Sequence, residues 1–140
     1  MAKARIAKEA GMELRRFIVE LGMGADLHGQ DVTKASQRAI KDAVSRCCLC
    51  GLIDIFDFKH PNEMHINLKV ACPSPEKVDR EKLKSAVPFG QVNLELVEGG
   101  MVTQGLNLPL LGEGDRIVVA IASITVLVDV EAHPIKLGAK

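Results

Sequence analysis

The sequence predicts an α+β fold, a mixed β-sheet with helices packed on one of its faces. Two helical patterns are separated by runs in which apolar and polar residues alternate, and the element order is β-α-β-α-β-β. The chain has 140 residues, 47% of them hydrophobic, which is enough for one domain with its own core. We expect one domain over residues 1–140: an N-terminal extension or short helix (1–14), a core (15–130) and a tail (131–140).

The first half of the core reads as a strand followed by a long helix. The strand covers about Arg15–Leu21, and the helix runs from about Asp31, a plausible N-cap, to Cys48. Apolar residues at helical spacing give this helix one buried face: Val32, Ala35, Ala39, Ile40, Ala43, Val44 and Cys47. Residues Gly51–Glu63 fit either a short strand or a helical turn, and we leave both open.

The second half contains most of the strands. Strict alternation predicts strands at Met64–Ala71 and Gln91–Val97, with a short helix at Asp79–Val87 between them. A further short strand is expected within Met101–Leu111, and the last strand covers Arg116–Val130.

The last strand is apolar on both faces. Ile117, Val119, Ile121 and Leu127 point to one side, and Val118, Ala120, Ile124, Val126 and Val128 to the other. Two helices can cover only one face of the sheet, so the second apolar face predicts an obligate homo-oligomer. The alternative is that loops or an N-terminal helix cover that face.

Composition narrows the classes of partner. The net charge is zero and the pI is near 6.9, which argues against a nucleic-acid binder that neutralises phosphates. No apolar run is long enough to span a membrane and no signal peptide is evident, so we expect a cytoplasmic protein without membrane partners. Three of the four cysteines are crowded at Cys47, Cys48 and Cys50, either as a soft-metal site or as small apolar residues at a helix end.

The stretch Gly22-Met23-Gly24-Ala25-Asp26-Leu27-His28-Gly29 is the candidate functional motif. A strand, a glycine-rich turn and a helix in succession are typical of small-molecule sites in α/β sheets. Asp26 and His28 are two residues apart, so in extended backbone they face one side and can share a divalent metal. Gly24 and Gly29 have no Cβ and allow a ligand to approach closely. Alternatively, Asp26 and His28 only fix a turn.

Two family resemblances follow from this motif. The G-x-G-x-D-x-H-G pattern, continued by Gln30-Asp31-Val32-Thr33-Lys34-Ala35, is similar to that of a small family of conserved hypothetical proteins without an assigned function. More distantly, Gly22–His28 resembles the opening motif of methylerythritol cyclodiphosphate synthase. That resemblance implies a Bacillus chorismate mutase-like fold, a homotrimer, and Asp26 and His28 as zinc ligands at a site between subunits.

The chain differs from the synthase at the residues that would complete the metal site and contact phosphate. No third His precedes the first helix, and Val97-Glu98-Gly99-Gly100 replaces the phosphate-contacting stretch, so cytidine nucleotide binding is not supported. A divalent metal, zinc or manganese, therefore needs another ligand, for which His65 on its strand and His60 in the nearby turn are candidates, ahead of His133. Glu98, Glu113 and Lys34 are candidate ligand-binding residues. The alternative for each is an ordinary solvent-exposed charge without a binding role.

Two functions remain open at this point. In the first, the protein is a small-molecule lyase or hydrolase whose catalytic residues are Asp26 and His28, acting through a metal or, without one, as an acid–base pair. In the second, it is a ligand-binding or structural homotrimer. Because the motif looks exposed, we expect Asp26→Ala and His28→Ala to remove function more than fold.

Overall fold

The computed structural model describes residues 8–9 and 11–135, which form a six-stranded mixed sheet with three α-helices. The α+β class predicted from the sequence is confirmed. The elements in chain order are β1 (Lys8–Glu9), β2 (Met12–Asp26), α1 (Val32–Val44), α2 (Cys50–Asp54), β3 (His65–Cys72), α3 (Arg80–Ser85), β4 (Gln91–Glu98), β5 (Met101–Gln104) and β6 (Arg116–Asp129). Short 3₁₀ turns cover Pro61–Glu63 and Pro75–Lys77.

The last strand within the described residues is the central strand of the sheet. β6 pairs antiparallel with β2 along one edge and with β3 along the other, and β4 lies parallel to β3. β5 pairs with residues 116–119 of β6, whereas β3 pairs with residues 121–127 of the same strand. The strands β2, β3 and β4 therefore run in one direction, and their C-terminal ends meet at the edge of the sheet where β6 begins.

Helix α1 packs on one face of the sheet, here called the inner face. Asp31 is its N-cap, accepting a hydrogen bond of 3.0 Å from the backbone N–H of Lys34. Ala35, Ala39 and Ala43 turn toward the sheet and are fully buried. The even-numbered residues of β6 face these alanines and form the centre of the core: Val118, Ala120, Ala122, Ile124, Val126 and Val128.

Two glycines of the motif let α1 approach the sheet closely. A Cβ added to Gly22 would overlap the backbone of Ala39 and Ala43, and one added to Gly24 would overlap the backbone of Ala35 and Ala39. The prediction that the turn begins at Gly22 is therefore wrong. The strand continues through both glycines to Asp26, and Gly24 lies beneath α1 rather than beside a ligand.

Other differences from the sequence-based prediction concern the ends of elements. Residues 12–14, expected to be part of a helix or loose extension, belong to β2, while residues 1–7 and 10 lie outside the described part of the chain. The ambiguous segment after Gly51 contains α2 and a 3₁₀ turn rather than a strand. Of the expected tail, residues 131–135 are described and form turns and irregular chain.

The outer face of the sheet carries no helix among the described residues. Its β3 and β4 half is polar, with Asn67 beside Asn93 and Lys69 beside Glu95. Its β2 and β6 half is apolar, with Met23 beside Ile121 and Ala25 beside Val119. The two-faced apolar character predicted for the last strand is thus present, and its outer side is partly open to solvent. No helix within residues 8–9 and 11–135 combines the length and apolar composition needed to span a bilayer.

Candidate functional site

The candidate site lies at the edge of the sheet where β2 ends and β6 begins. The loop between β2 and α1 (residues 27–31) packs there against the loop Gly112–Gly114. The backbone N–H of Gly29 donates a hydrogen bond of 3.1 Å to the carbonyl oxygen of Glu113. A Cβ added to Gly112 would lie 2.9 Å from the Cβ of His28, so Gly112 is held close against it. Folding thus brings together two glycine-rich segments that are far apart in sequence.

Asp26 is a buried residue that fastens the loop to α1. It is only 4% exposed, and one carboxylate oxygen accepts a hydrogen bond of 2.8 Å from the backbone N–H of Asp31. The other oxygen lies 3.5 Å from the guanidinium of Arg38. Both oxygens are therefore used within the protein, and the carboxylate has the role of a structural acceptor in this chain.

The N-terminus of α1 is already supplied with negative charge. Asp26 accepts from the N–H of Asp31, and Asp31 accepts from the N–H of Lys34. Two carboxylates at this position satisfy donors and complement the helix dipole that an anionic ligand would otherwise use. The geometry thus disfavours the predicted anion site at Lys34, whose side chain is exposed.

His28 is placed differently from Asp26. Its side chain is half-buried in the loop against Gly112, and its ring makes no hydrogen bond or ion pair with any residue in the described ranges. Asp26 is the last residue of β2 and faces α1, whereas His28 lies in the bend that follows. The prediction that both side chains share one face of an extended segment is wrong, because the chain leaves the strand between them.

The structure does not bring the predicted metal ligands together. Asp26 pairs with Val118 near the start of β6, and His65 pairs with Leu127 near its end. This separation along β6 corresponds to about 30 Å at about 3.3 Å per residue. Among residues 8–9 and 11–135, no three His, Cys, Asp or Glu side chains are grouped so that they could hold a metal ion. Within one chain, Asp26, His28 and His65 do not fit a zinc or manganese site.

The two candidate glutamates have different positions. Glu113 lies in the loop that packs on His28, and its carbonyl oxygen, rather than its exposed carboxylate, is the group that contacts Gly29. Glu98 is the exposed last residue of β4, three strands away from Asp26 across the sheet. At about 4.8 Å per strand this is a distance of about 14 Å.

Two charged residues of α1 form hydrogen bonds with the backbone of the motif. Neither was a candidate site residue in the sequence analysis. The guanidinium of Arg38 donates a hydrogen bond of 2.7 Å to the carbonyl oxygen of Ala25, next to the carboxylate of Asp26. The carboxylate of Asp42 accepts a hydrogen bond of 2.9 Å from the N–H of Met23 and is paired with Arg46. These two contacts, in that order, lower the pKa of Asp42. The only sequence signal for them was the spacing of Asp42 and Arg46, one helical turn apart.

A small apolar cavity lies elsewhere in the molecule, between α2 and the 3₁₀ turn at Pro61–Glu63. Its volume is about 140 Å³. The side chain of His60 at its rim accepts a hydrogen bond from the N–H of Asn62 and so caps the turn. The cavity is lined by Leu49, Leu52, Ile53, Phe58, Lys59, His60, Pro61 and Met64, none of which belongs to the motif.

Comparison with known proteins gives a family without an assigned function. No curated protein matches the sequence. The chain is similar to a protein of known crystal structure, described as an FtsZ-like protein of unknown function from Nostoc punctiforme PCC 73102. The two share 42% identity over 85% of this chain and 99% of the other, with a TM-score of 0.78. Residues 16–126 match the Lin0512 family, described as conserved hypothetical proteins, and the chain belongs to that family.

Proposed function

We propose that the protein is a homo-oligomeric module that binds a small molecule beside the loop 27–31. The subunits associate through the apolar half of the outer face, and the trimer implied by the synthase resemblance is the stoichiometry we expect. The open apolar surface on β2, β5 and β6 is the observation that carries this proposal.

Several of the exposed apolar side chains are neighbours on the outer face of the sheet. Met23 (59% exposed) pairs with Ile121 (48%) across β2 and β6, and Leu21 (62%) lies two residues before Met23 on the same face. Met101 (59%) extends the patch onto β5 through its pairing with Val119. A contiguous apolar patch that spans three strands is typical of an association surface.

Asp26 supports binding indirectly in this proposal. Its hydrogen bond to the Asp31 N–H and its contact with Arg38 fix the end of β2 relative to α1. The bend that follows is fastened by the Gly29–Glu113 hydrogen bond. His28 is thus held on a fixed loop with its ring nitrogens available to a ligand, while Asp26 is a positioning residue.

The arrangement of charges favours a binding module over a metal-dependent enzyme. A metal would have to compete with Arg38 and the Asp31 N–H for the carboxylate of Asp26, and His65 lies at the other end of β6. The carboxylates of Asp26 and Asp31 already accept hydrogen bonds from N–H groups at the start of α1, so the loop favours a neutral or cationic ligand over an anion.

The association surface is tested by changing its charge. Met23→Glu and Ile121→Glu each place a carboxylate within the apolar patch, and Asn67→Glu places one on the polar half of the same face as the matched control. Light scattering after size exclusion should give a trimer for wild type and the control, and folded monomers for the other two variants. A wild-type monomer at the same protein concentration would overturn the proposed association.

The binding loop is tested with His28→Ala and a set of neutral and cationic polar fragments, alongside inorganic phosphate. Fragments that bind there should raise the melting temperature of wild type and shift the NMR signals of its His28 ring, and they should not raise the melting temperature of the variant. Phosphate should have no effect on either protein. If phosphate were the best stabiliser, or if the same fragments stabilised both proteins equally, His28 would not be the contact.

A further inference from the structure

Three of the four cysteines lie at or just before the start of α2, and two of them face each other. The thiol of Cys48 donates a hydrogen bond to the sulfur of Cys50, with an Sγ–Sγ distance of 3.8 Å. Both side chains are exposed, and both thiols are free. Cys50 is the first residue of α2, and only Leu49 separates the two cysteines.

The pair is more exposed than the other two cysteines. Burial raises the pKa of the Cys47 thiol, which contacts the carbonyl oxygen of Ala43, and burial likewise raises the pKa of Cys72. The hydrogen bond with Cys48, followed by the charge of Cys48, raises the pKa of Cys50. Because Cys48 and Cys50 are the exposed ones, solvent-borne reagents reach them first.

The geometry suits a bond between the two sulfurs better than a metal site. The sulfurs need to approach by about 1.8 Å to reach the length of a disulfide bond, which is on the order of a side-chain rotation. A metal would need at least one more ligand, and no group of three suitable side chains is present among residues 8–9 and 11–135.

We propose that Cys48 and Cys50 form a redox-active dithiol that is oxidised to an intramolecular disulfide by low-molecular-weight disulfides. The Cys48 thiolate attacks a sulfur of the small disulfide, a mixed disulfide forms, and one small thiolate leaves. The sulfur of Cys50, after losing its proton to solvent, then attacks the Cys48 sulfur, and the second small thiolate leaves. Two protein thiols are oxidised to one disulfide, and one small disulfide is reduced to two thiols.

This dithiol follows the C-terminal end of α1, whereas His28 precedes the N-terminal end of the same helix. Leu49, between the two cysteines, lines the apolar cavity beside α2. Oxidation therefore fixes the backbone on either side of a cavity residue, and reduction releases it. The proposal stands independently of the binding function, because it involves none of the residues of the loop 27–31.

The test uses the full-length protein equilibrated with oxidised and reduced glutathione, acid-quenched, unfolded in urea and alkylated. Fully reduced wild type should be alkylated at all four cysteines, and the oxidised form at two fewer, with peptide mapping placing the crosslink between Cys48 and Cys50. Cys47→Ser, the matched control from the same segment, should still form this disulfide. Cys48→Ser and Cys50→Ser should give only the glutathione mixed disulfide.

Three results would overturn the proposal. They are a crosslink that includes Cys47, a disulfide between two chains, and a wild-type protein that stops at the mixed disulfide. Circular dichroism of each variant in its reduced state identifies any variant that has not folded. If Cys48→Ser has not folded, Cys48→Ala takes its place: its Cys50 should be recovered only as the glutathione mixed disulfide, whereas Cys50 of oxidised wild type should be recovered in the crosslink to Cys48.

Discussion

The backbone N–H of Asp31 donates a hydrogen bond of 2.8 Å to the carboxylate of Asp26, five residues earlier in the chain. This contact joins the last residue of β2 to the N-cap of α1 across the glycine-containing bend. It gives the conspicuous acidic residue of the motif a structural role, because the acceptor is buried and its second oxygen faces Arg38.

Asp26→Ala is expected to lower the free energy of unfolding by about 1–3 kcal/mol. The change leaves the Asp31 N–H without its acceptor and Arg38 without its nearest carboxylate. Asp26→Asn retains an acceptor oxygen and should cost less. Urea unfolding measures both. The sequence-based premise that the motif is exposed is wrong for Asp26, which is 4% exposed.

His28→Ala is the matched comparison for Asp26→Ala, from the same loop. Because its ring makes no hydrogen bond with residues 8–9 or 11–135, the loss of stability should stay within about 0.5 kcal/mol. Equal destabilisation by the two substitutions would mean that His28 is structural as well, and would count against its proposed contact with a ligand.

Gly24→Ala is expected to destabilise the protein by more than about 2 kcal/mol. Its new Cβ would overlap the backbone of α1 at Ala35 and Ala39, and neither backbone segment can move without shifting the whole helix. Gly11→Ala is the control, since its Cβ meets nothing within 4 Å and only a positive φ of 82° opposes it. Thermal melts compare the two. Similar melting temperatures for Gly24→Ala and wild type would contradict the close approach of α1 to the sheet.

The contact between Asp42 and β2 should depend on pH. The Met23 N–H, and then Arg46, hold the pKa of Asp42 below its ordinary value of 3.8. A depressed folded-state pKa stabilises the fold above that ordinary value, and the contribution is lost as the pH falls through the folded-state pKa. The stability difference between wild type and Asp42→Asn should therefore be constant near neutral pH and shrink below about pH 3.8.

Chemical unfolding of both proteins across this pH range measures the difference. Asp54→Asn serves as the control, because Asp54 is exposed and accepts no hydrogen bond within the described residues. If the difference for Asp42→Asn grew on acidification, the carboxylate would not be stabilised in its charged form.

Ser36→Ala should leave stability unchanged or raise it by up to about 1 kcal/mol. The hydroxyl of Ser36 is fully buried on α1 and has no hydrogen-bond partner in the described part of the chain. The Cys72 thiol lies beside it, but sulfur is a weak partner. Removing an unsatisfied buried hydroxyl relieves its desolvation cost. Differential scanning calorimetry tests this, and a loss above about 1 kcal/mol would indicate a real Ser36–Cys72 hydrogen bond.

Periodicity predicted the strands and helices of the core well, because alternation and helical spacing report which face of an element is buried. It failed at Gly22 and Gly24. Glycine is common in turns, but here both glycines lie within a strand, where the absence of a Cβ lets α1 pack closely. The signal was present as Ala35, Ala39 and Ala43, a row of small residues one turn apart. The nearness of His28 to Gly112 follows from tertiary packing, which no local pattern of the sequence reports.

The sheet also sets the order in which the chain can fold during synthesis. β2 and β3 are made before β6, the strand that lies between them and the last of the described strands in chain order. Until residues near 129 have left the ribosome, β2 lacks its main pairing partner and β3 lacks the partner on one of its two edges. The high sequence separation of these contacts implies slow, late folding. A nascent chain arrested before Arg116 would lack the central strand and expose the two strands beside it to chaperones.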